Sequence, residues 1–376
     1  MLSQPPIWLI LIAFILTIGP LVFIHELGHY LVGRWFGVGA EVFSIGFGRE
    51  VTGWTDRRGT RWKVGWLPLG GYVRFVGDEH AASQPAHPDS VAPEDRERSF
   101  HLKPVWQRFL IVLAGPVSNF LVAIAIFAAL FAIYGVPRSP PVASAVAAGS
   151  AAEKAGIKAG DRILSAGGRS IDSFETLSRY VSMRPAETVS ITLDRSGERL
   201  TIPVRFDTQE EKDRFGNHFR VGRLGLYGKE QVFEPVAALQ LLPTATVFTL
   251  TTTRSMLEGI WQIVTGRRSV KELGGPLKIA QVAGQQASLG PLEFIQLVAL
   301  ISINLGFINL LPVPMLDGGH LLFYAIEAVQ RRPVSLRAQE WAFRGGLALI
   351  LALFVFTTVN DLGSFGLWKG LERLIG

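Results

Sequence analysis

The sequence predicts a polytopic α-helical membrane protein with about four transmembrane helices, a membrane-associated β-hairpin region and an inserted α+β domain. The 376-residue chain is 48% hydrophobic and only 18% charged, and its mean hydropathy is +0.30. Long apolar runs are separated by one soluble stretch, residues 135 to 206, which contains short β-like segments. The chain has no cysteine, so any metal must be held by His, Asp or Glu.

The basic balance of the chain does not predict nucleic-acid binding. The net charge is +6 and the pI is near 9.7, but the positive residues are scattered along the chain instead of forming one cluster. Such a distribution is typical of loops that face an anionic cytoplasmic leaflet. We therefore expect a lipid bilayer as partner and no nucleic acid.

The first apolar run, from about Pro6 to Gly33, is long enough to span a ~30 Å hydrocarbon core. A cleaved secretion signal is the alternative, but no Lys or Arg precedes the run. The first positive charge is Arg34, which places the N-terminus outside and Arg34 inside by the positive-inside rule.

Within this run lies the pattern H-E-x-x-H. On a helix, His25 and His29 project from one face a single turn apart, so that both imidazoles can bind one zinc ion. Glu26 lies beside them and is the candidate general base. A charged side chain near the bilayer centre costs about 2.5 to 3.5 kcal/mol on insertion scales, which argues against histidines that are merely hydrogen-bonded.

The segment from 34 to 108 carries many arginines and is predicted to lie inside. Glu41 to Arg49 and Trp62 to Val76 alternate apolar and polar positions, and Gly70 and Gly71 supply turn residues. The pattern predicts hairpins against the membrane beside the metal-binding helix, and an ordinary cytoplasmic hairpin fits it equally well. Residues 77 to 99 are predicted to be a flexible loop.

A second span is predicted from Phe109 to Tyr134. Gly115, Pro116 and Asn119 interrupt its apolar character, and helix packing explains such small and polar residues about as well as function does. Together with the first span and the hairpins, it completes an N-terminal membrane half, residues 1 to 134.

Residues 135 to 206 are predicted to form a small α+β domain with one amphipathic helix, Ser173 to Met183. Its segment Ala155 to Leu164 resembles the carboxylate-loop region of PDZ domains, which bind an extended peptide as an added strand. A structural spacer of the same size is the alternative. The resemblance implies peptide binding by Ala159, Gly160, Asp161 and Ile163.

Residues 207 to 290 are predicted to connect this domain to a C-terminal membrane half, residues 291 to 376. The uncharged run Val236 to Thr253 has the composition of either a span or an interfacial helix. Topology favours the interface, because the later run from Phe294 to Leu316 then finishes inside, beside His25. A final apolar run, Gly345 to Asn360, returns the chain outward.

The end of the third run supplies a further metal-ligand candidate. Two prolines and two glycines interrupt Asn309 to His320, and broken backbone at membrane depth requires burial in protein or a wet cavity. A catalytic zinc takes three protein ligands and keeps one open position. Asp317 is the preferred third ligand, and His320 is its rival.

Together these motifs resemble bacterial site-2 intramembrane metalloproteases of the regulator-of-sigma-E protease type. They are the H-E-x-x-H helix, the Gly115 to Asn119 span, the PDZ-like domain, and Asn309 to Gly318 in the form N-x-x-P-x-P-x-L-D-G. The resemblance implies that zinc is bound by His25, His29 and Asp317 and that Glu26 activates the water. It further implies a substrate site formed by Asn119, Asn309, Gly70, Gly71 and Tyr72.

The same resemblance implies a multi-pass protein of the bacterial inner membrane, with the PDZ domain outside and the active site near the cytoplasmic side. Its substrates would be membrane-spanning proteins already cut by a first protease, such as anti-sigma factors, and signal-peptide remnants. The best-known members carry two PDZ domains, whereas this chain has room for one. A silent membrane adaptor and a metal transporter are the alternatives, and zinc content with cleavage of a transmembrane peptide separates them.

Overall fold

The chain folds into two compact units. The first unit comprises Met1–Ala128, Leu242–Trp261 and Val270–Gly376, and the second comprises Ala129–Leu241 and Gln262–Ser269. The computed structural model describes residues 5–78, 92–212, 218–228, 232–265, 270 and 274–364.

Long helices dominate the first unit. Four segments are long and apolar enough to cross a membrane, as the sequence predicts: Ile7–Trp35, Val105–Tyr134, Pro291–Asn309 and Arg337–Leu362. The helices are α1 (Ile7–Trp35), α2 (Val105–Tyr134), α5 (Leu241–Val264), α6 (Pro276–Leu289), α7 (Pro291–Asn309), α8 (Asp317–Gln330) and α9 (Leu336–Ser364). The second span thus begins at Val105, four residues before the predicted start.

Small residues let three of these helices approach closely. A Cβ atom on Gly28 of α1 would lie 2.5 Å from the carbonyl oxygen of Ala114 on α2. The hydroxyl of Ser118 on α2 donates to the carbonyl of Ile24 on α1 at 2.9 Å. Gly306 of α7 faces the carbonyl of Pro116 in the same way. Close backbone approach through small residues is the usual form of helix packing in membranes, and here it places α1 and α7 against α2.

Two bent strands follow α1, namely β1 (Ala40–Thr55) and β2 (Arg61–Phe75). The first half of β1 lies between the two halves of β2, since Phe43 pairs with both Trp62 and Val73. The second half of β2, residues 71–75, is therefore an edge of the sheet, and no other described strand pairs with it. The hairpin prediction gave both strands but not this doubled arrangement.

The segment after β2 differs in part from the predicted loop at 77 to 99. Residues 79–91 lie outside the described residues, whereas Pro93–Arg98 forms a short 3₁₀ helix. The carbonyl of Arg98 accepts a hydrogen bond from the amide of Gly39 at 2.9 Å. Backbone contacts thus hold the end of this segment against the start of β1.

The second unit contains a four-stranded antiparallel sheet of order β6-β5-β7-β8 and the helix α4, with Ile163, Leu177 and Ile191 in its core. Ser173 caps α4 by accepting a hydrogen bond from the amide of Thr176, which is a typical N-cap. The elements are β3 (Val136–Arg138), β4 (Ala143–Val146), α3 (Ala151–Lys154), β5 (Arg162–Ala166), β6 (Arg169–Ser170), α4 (Phe174–Ser182), β7 (Thr188–Arg195) and β8 (Glu198–Arg205).

The second unit continues past residue 206, at which the sequence analysis ends the domain, through four more strands. One of them, β11, pairs with β4, and another, β12, pairs with β3, so the chain leaves the unit beside the point where it entered. These strands are β9 (Asp207–Lys212), β10 (His218–Arg223), β11 (Leu226–Gly228) and β12 (Val232–Glu234).

Candidate active site

The three predicted metal ligands converge in the structure. His25 and His29 lie one turn apart on α1, and Asp317 is the first residue of α8. The two Nε2 atoms are 3.3 Å apart, and Asp317 Oδ2 lies 3.1 Å from Nε2 of His25 and 3.5 Å from Nε2 of His29. These three residues could hold a metal ion together. In the part of the chain that the structure describes, no other group of three or more His, Cys, Asp or Glu side chains could do so.

The chemistry of these donor atoms fits a zinc ion. Asp317 Oδ2 is buried and has no hydrogen-bond partner among the described residues, although two imidazole nitrogens face it. Nδ1 of His29 lies 2.9 Å from the carbonyl oxygen of Ile111, to which it donates, and this bond leaves the Nε2 lone pair for a metal. Two imidazoles and a carboxylate form a three-ligand set of the kind found in catalytic zinc sites.

A break between α7 and α8 positions Asp317. A Cβ atom on Gly318 would collide with the carbonyl groups of Leu310 and Leu311, so that only glycine fits beside the turn. Met315 adopts a left-handed conformation with φ of 83°, which is unfavourable for a residue with a side chain and recurs at functional sites. The break therefore ends one helix and directs the first residue of the next toward α1.

Glu26 lies in the same cavity as the three ligands. The cavity has a volume of about 560 Å³ and is also lined by the predicted substrate residues Gly70, Gly71, Tyr72 and Asn309. Glu26 is 9% exposed, and a Cβ atom on Gly71 would lie 2.9 Å from its Cγ. The edge segment of β2 thus runs directly past the carboxylate.

Asn119 is placed differently from the other predicted substrate residues. It does not line this cavity, and its Nδ2 lies 3.0 Å from Nδ1 of His25. The rival ligand His320 lines the cavity but is not part of the metal group. The ring of His320 packs against Phe343, with the centroids 5.2 Å apart.

The predicted peptide-binding residues of the inserted domain lie at a corner that is tied together by hydrogen bonds. Asp161 accepts two hydrogen bonds from Arg195, at 2.8 and 2.7 Å, and one from the amide of Lys158 at 2.8 Å. The Arg195 guanidinium holds the pKa of the Asp161 carboxyl below its usual range. Ile163 is fully buried, and Gly160 donates its amide to the carbonyl of Ala143. Of the four, Ala159 and Gly160 are exposed.

The structure shows a groove elsewhere in this unit, which the sequence analysis missed. It has a volume of about 410 Å³ and lies between α4 and the chain from Val221 to Tyr227. Gly225, with φ of 78°, stands between Leu224 and Leu226 at the start of β11. This apolar-Gly-apolar loop before a short strand is the sequence signal that could have located the groove.

A comparison with known proteins finds one matching family model. The model of peptidase family M50 matches residues 13–353. A protein of Rhizobium meliloti named "Putative zinc metalloprotease" is 45% identical over 93% of this chain and 94% of its own length. "Metalloprotease MmpA" of Caulobacter vibrioides is 37% identical over 97% of this chain and 98% of its own length.

Among solved structures, the PDZ domain of an SdrC-like protein from Listeria monocytogenes aligns with 22% of this chain and 84% of that domain. The identity is 18% and the TM-score is 0.18, which is too low to support a fold assignment.

Proposed function

The chain belongs to peptidase family M50 and is a metalloprotease of that family, and from this premise we propose that it is a zinc endopeptidase that cuts within transmembrane segments. One observation carries the proposal. His25, Glu26 and His29 are part of α1, and Asp317 lies against them. This helix is apolar and long enough to cross a bilayer. A site in this position suits peptide bonds at membrane depth.

His25, His29 and Asp317 would hold the zinc ion. The bound ion would supply a Lewis acid that activates water and polarises the scissile carbonyl. Glu26 would take the proton from the attacking water and pass it to the leaving amine, because it is the remaining carboxylate on the wall of the cavity. Its burial keeps bulk water away from this proton transfer.

The substrate would bind in extended form along the edge of β2. Residues 71–75 present backbone groups that no described strand uses, and an added strand recognises an unwound segment regardless of its side chains. Gly71 allows β2 itself to run close to Glu26, so a strand added to this edge would pass near the carboxylate. Gly70, Tyr72 and Asn309 line the same cavity and would contact the substrate backbone.

We place the protein in the bacterial inner membrane, with its active site near the cytoplasmic side. Arg34 directly follows the helix that carries the histidines, and the segment up to Arg108 is rich in arginine, as expected of an inside loop. The inserted domain follows the second span and would therefore face outside. Helix α5 is not among the four span-like helices of the described chain, in keeping with an interfacial position.

The inserted domain would act as a PDZ-type peptide-binding domain through its groove. Phe174 and Leu177 of α4 and Leu226 of β11 supply apolar walls, so that an apolar peptide end is the expected ligand. Such a domain would favour substrates already trimmed outside, of the anti-sigma-factor or signal-peptide-remnant kind. This trimming requirement can be tested by removing the domain.

The protease proposal is tested on the full chain purified in detergent. We expect about one zinc ion per chain and cleavage of a model transmembrane peptide, lost on chelation and restored by zinc. Zinc without any cleavage would favour the transporter or adaptor, and cleavage that survives chelation would refute a metalloenzyme.

The role of the inserted domain in excluding untrimmed substrates, here called the gate, is tested by deleting Val136–Glu234. The two ends of this segment are paired residues of β3 and β12, so the flanking chain can be rejoined directly. The variant should bind zinc, cut the trimmed substrate and now also cut an untrimmed one. A variant that cuts trimmed substrate but still refuses every untrimmed one would exclude the domain as the gate.

A further inference from the structure

We propose that Asn119 is a positioning residue for His25, whose side-chain amide accepts the Nδ1 proton of that imidazole and so directs the Nε2 lone pair at the metal. The proposal rests on the proposed zinc site. It replaces the substrate-binding role that resemblance implies for Asn119.

The surroundings of Asn119 separate it from the substrate. Its side chain is 0% exposed, and it is not among the residues that line the active-site cavity. Its backbone carbonyl accepts a hydrogen bond from the hydroxyl of Ser302 on α7 at 2.7 Å. Asn119 is thus held between helices α1 and α7, where its amide reaches His25 and not a peptide in the cavity.

The orientation of the amide decides which nitrogen of His25 can bind a metal. With Nδ2 facing Nδ1 at 3.0 Å, the amide donates, and the imidazole carries its proton on Nε2. A ligating imidazole needs the opposite tautomer, with the proton on Nδ1 and a free lone pair on Nε2. That tautomer requires an acceptor beside Nδ1.

The missing acceptor is present on the same side chain. Oδ1 of Asn119 is buried and has no hydrogen-bond partner among the described residues. Half a turn of the amide about its last bond exchanges the two atoms, so that Oδ1 faces Nδ1–H. One rotation therefore gives Oδ1 a donor and fixes the tautomer that binds metal, and Nδ2 takes the position at which Oδ1 had no partner.

The two histidines are then held by different devices. His29 donates from Nδ1 to the backbone carbonyl of Ile111 at 2.9 Å, an acceptor that cannot reverse. His25 faces an amide that can either donate or accept. Metal binding would select the accepting orientation, and loss of the amide would weaken one ligand while the other stays in place.

The test compares zinc affinity in the full-length chain, measured by competition with a chelator. Loss of a hydrogen bond to a metal-bound histidine typically costs about 10- to 100-fold in metal affinity. The zinc affinity of Asn119→Leu should therefore be lower than that of the wild type by this factor. Asn119→Asp should retain affinity, because a carboxylate oxygen also accepts from Nδ1–H. The visible spectrum of the cobalt-loaded protein should change in Asn119→Leu and be retained in Asn119→Asp.

Two controls separate positioning from packing and from substrate binding. Ser302→Ala removes the hydrogen bond to the Asn119 backbone and leaves the amide intact, so its zinc affinity should match wild type. Peptide cleavage by Asn119→Leu at saturating zinc should keep its KM, whereas loss of a substrate contact would raise it.

Three outcomes would overturn the inference. The first is equal zinc affinity in Asn119→Leu, Asn119→Asp and wild type. The second is an Asn119→Ala variant that folds and binds zinc normally. The third is a wild-type chain that binds no zinc, which would remove the proposed function as well and so is distinguishable from the other two.

Discussion

Asp317 in the first unit and Asp161 in the second unit each have a carboxylate oxygen that is shielded from water. The two carboxylates differ in the groups that surround them. Asp161 is 1% exposed and is bonded by the guanidinium of Arg195 and by a backbone amide. Asp317 Oδ2 faces two imidazole nitrogens at 3.1 and 3.5 Å without a hydrogen-bond partner. The first carboxylate is satisfied by the protein itself, and the second is not.

The difference shows how to separate a structural carboxylate from a functional one. A buried polar atom without a partner costs free energy, so it persists where a ligand completes it. A carboxylate in a two-pronged contact with arginine already has its strong charge-assisted bonds. The sequence context of Asp161 resembles a binding loop, but its carboxylate is already bonded to Arg195 and to a backbone amide.

Removing the Asp317 carboxylate should have the largest effect. We expect Asp317→Ala to lose zinc and all cleavage, because two imidazoles alone leave the site one ligand short. Metal analysis of the purified chain measures this. The matched variant His320→Ala should keep its zinc, since His320 is not part of the metal group, and the reverse result would make His320 the third ligand.

Glu26 is a third carboxylate to compare with these two. It lines the same cavity as Asp317, but it is not one of the three candidate metal ligands. Glu26→Gln should bind zinc as wild type does and lose about 10² to 10⁴-fold in kcat, the usual value of general acid–base catalysis. Peptide cleavage at saturating zinc measures it. Near-normal turnover would remove Glu26 from proton transfer, and lost zinc would make it a ligand.

These first two experiments concern the part of the molecule that the sequence predicts best. His25 and His29 are four residues apart on one helix, so helix geometry alone brings them together. Asn119 was out of reach of such reasoning, because its contact with His25 joins residues 94 positions apart. The groove was missed for the same reason: its helix α4 and its strand β11 are separated by the whole of β7 to β10.

For Asp161 we expect an effect on stability and none on zinc. Asp161→Asn should destabilise the second unit, because an amide cannot keep both hydrogen bonds from the Arg195 guanidinium and the bond from the Lys158 amide; the effect is modest, since Arg195 reaches solvent and keeps part of its hydration. Hydrogen exchange of the β7 amides in the full chain measures the loss. An unchanged exchange rate would show that this ion pair contributes little.

The same carboxylate gives the second unit a pH dependence. The pKa of Asp161 is lowered in the folded chain, chiefly by its hydrogen bonds to Arg195. Its contribution to stability is therefore complete above the unfolded value of about 3.9 and is lost as pH falls through the lower folded value. Asp161→Asn should remove this acid dependence, and an identical acid limb in both proteins would assign it to another group.

The smallest expected effect tests where the second unit binds peptide, at the groove or at the Asp161 corner. Ser178 is an exposed residue on the groove wall, so a tryptophan at this position should fill the groove. Ser178→Trp should therefore lower the binding affinity for an apolar C-terminal peptide by about tenfold, or 1.4 kcal/mol. Arg179→Trp, next to it on α4 but outside the groove, should bind as wild type does. Ala159→Trp tests the corner that the sequence favoured. Calorimetric titration of the three variants decides: if only Ala159→Trp loses affinity, the sequence-based site is right and the groove is not the peptide site.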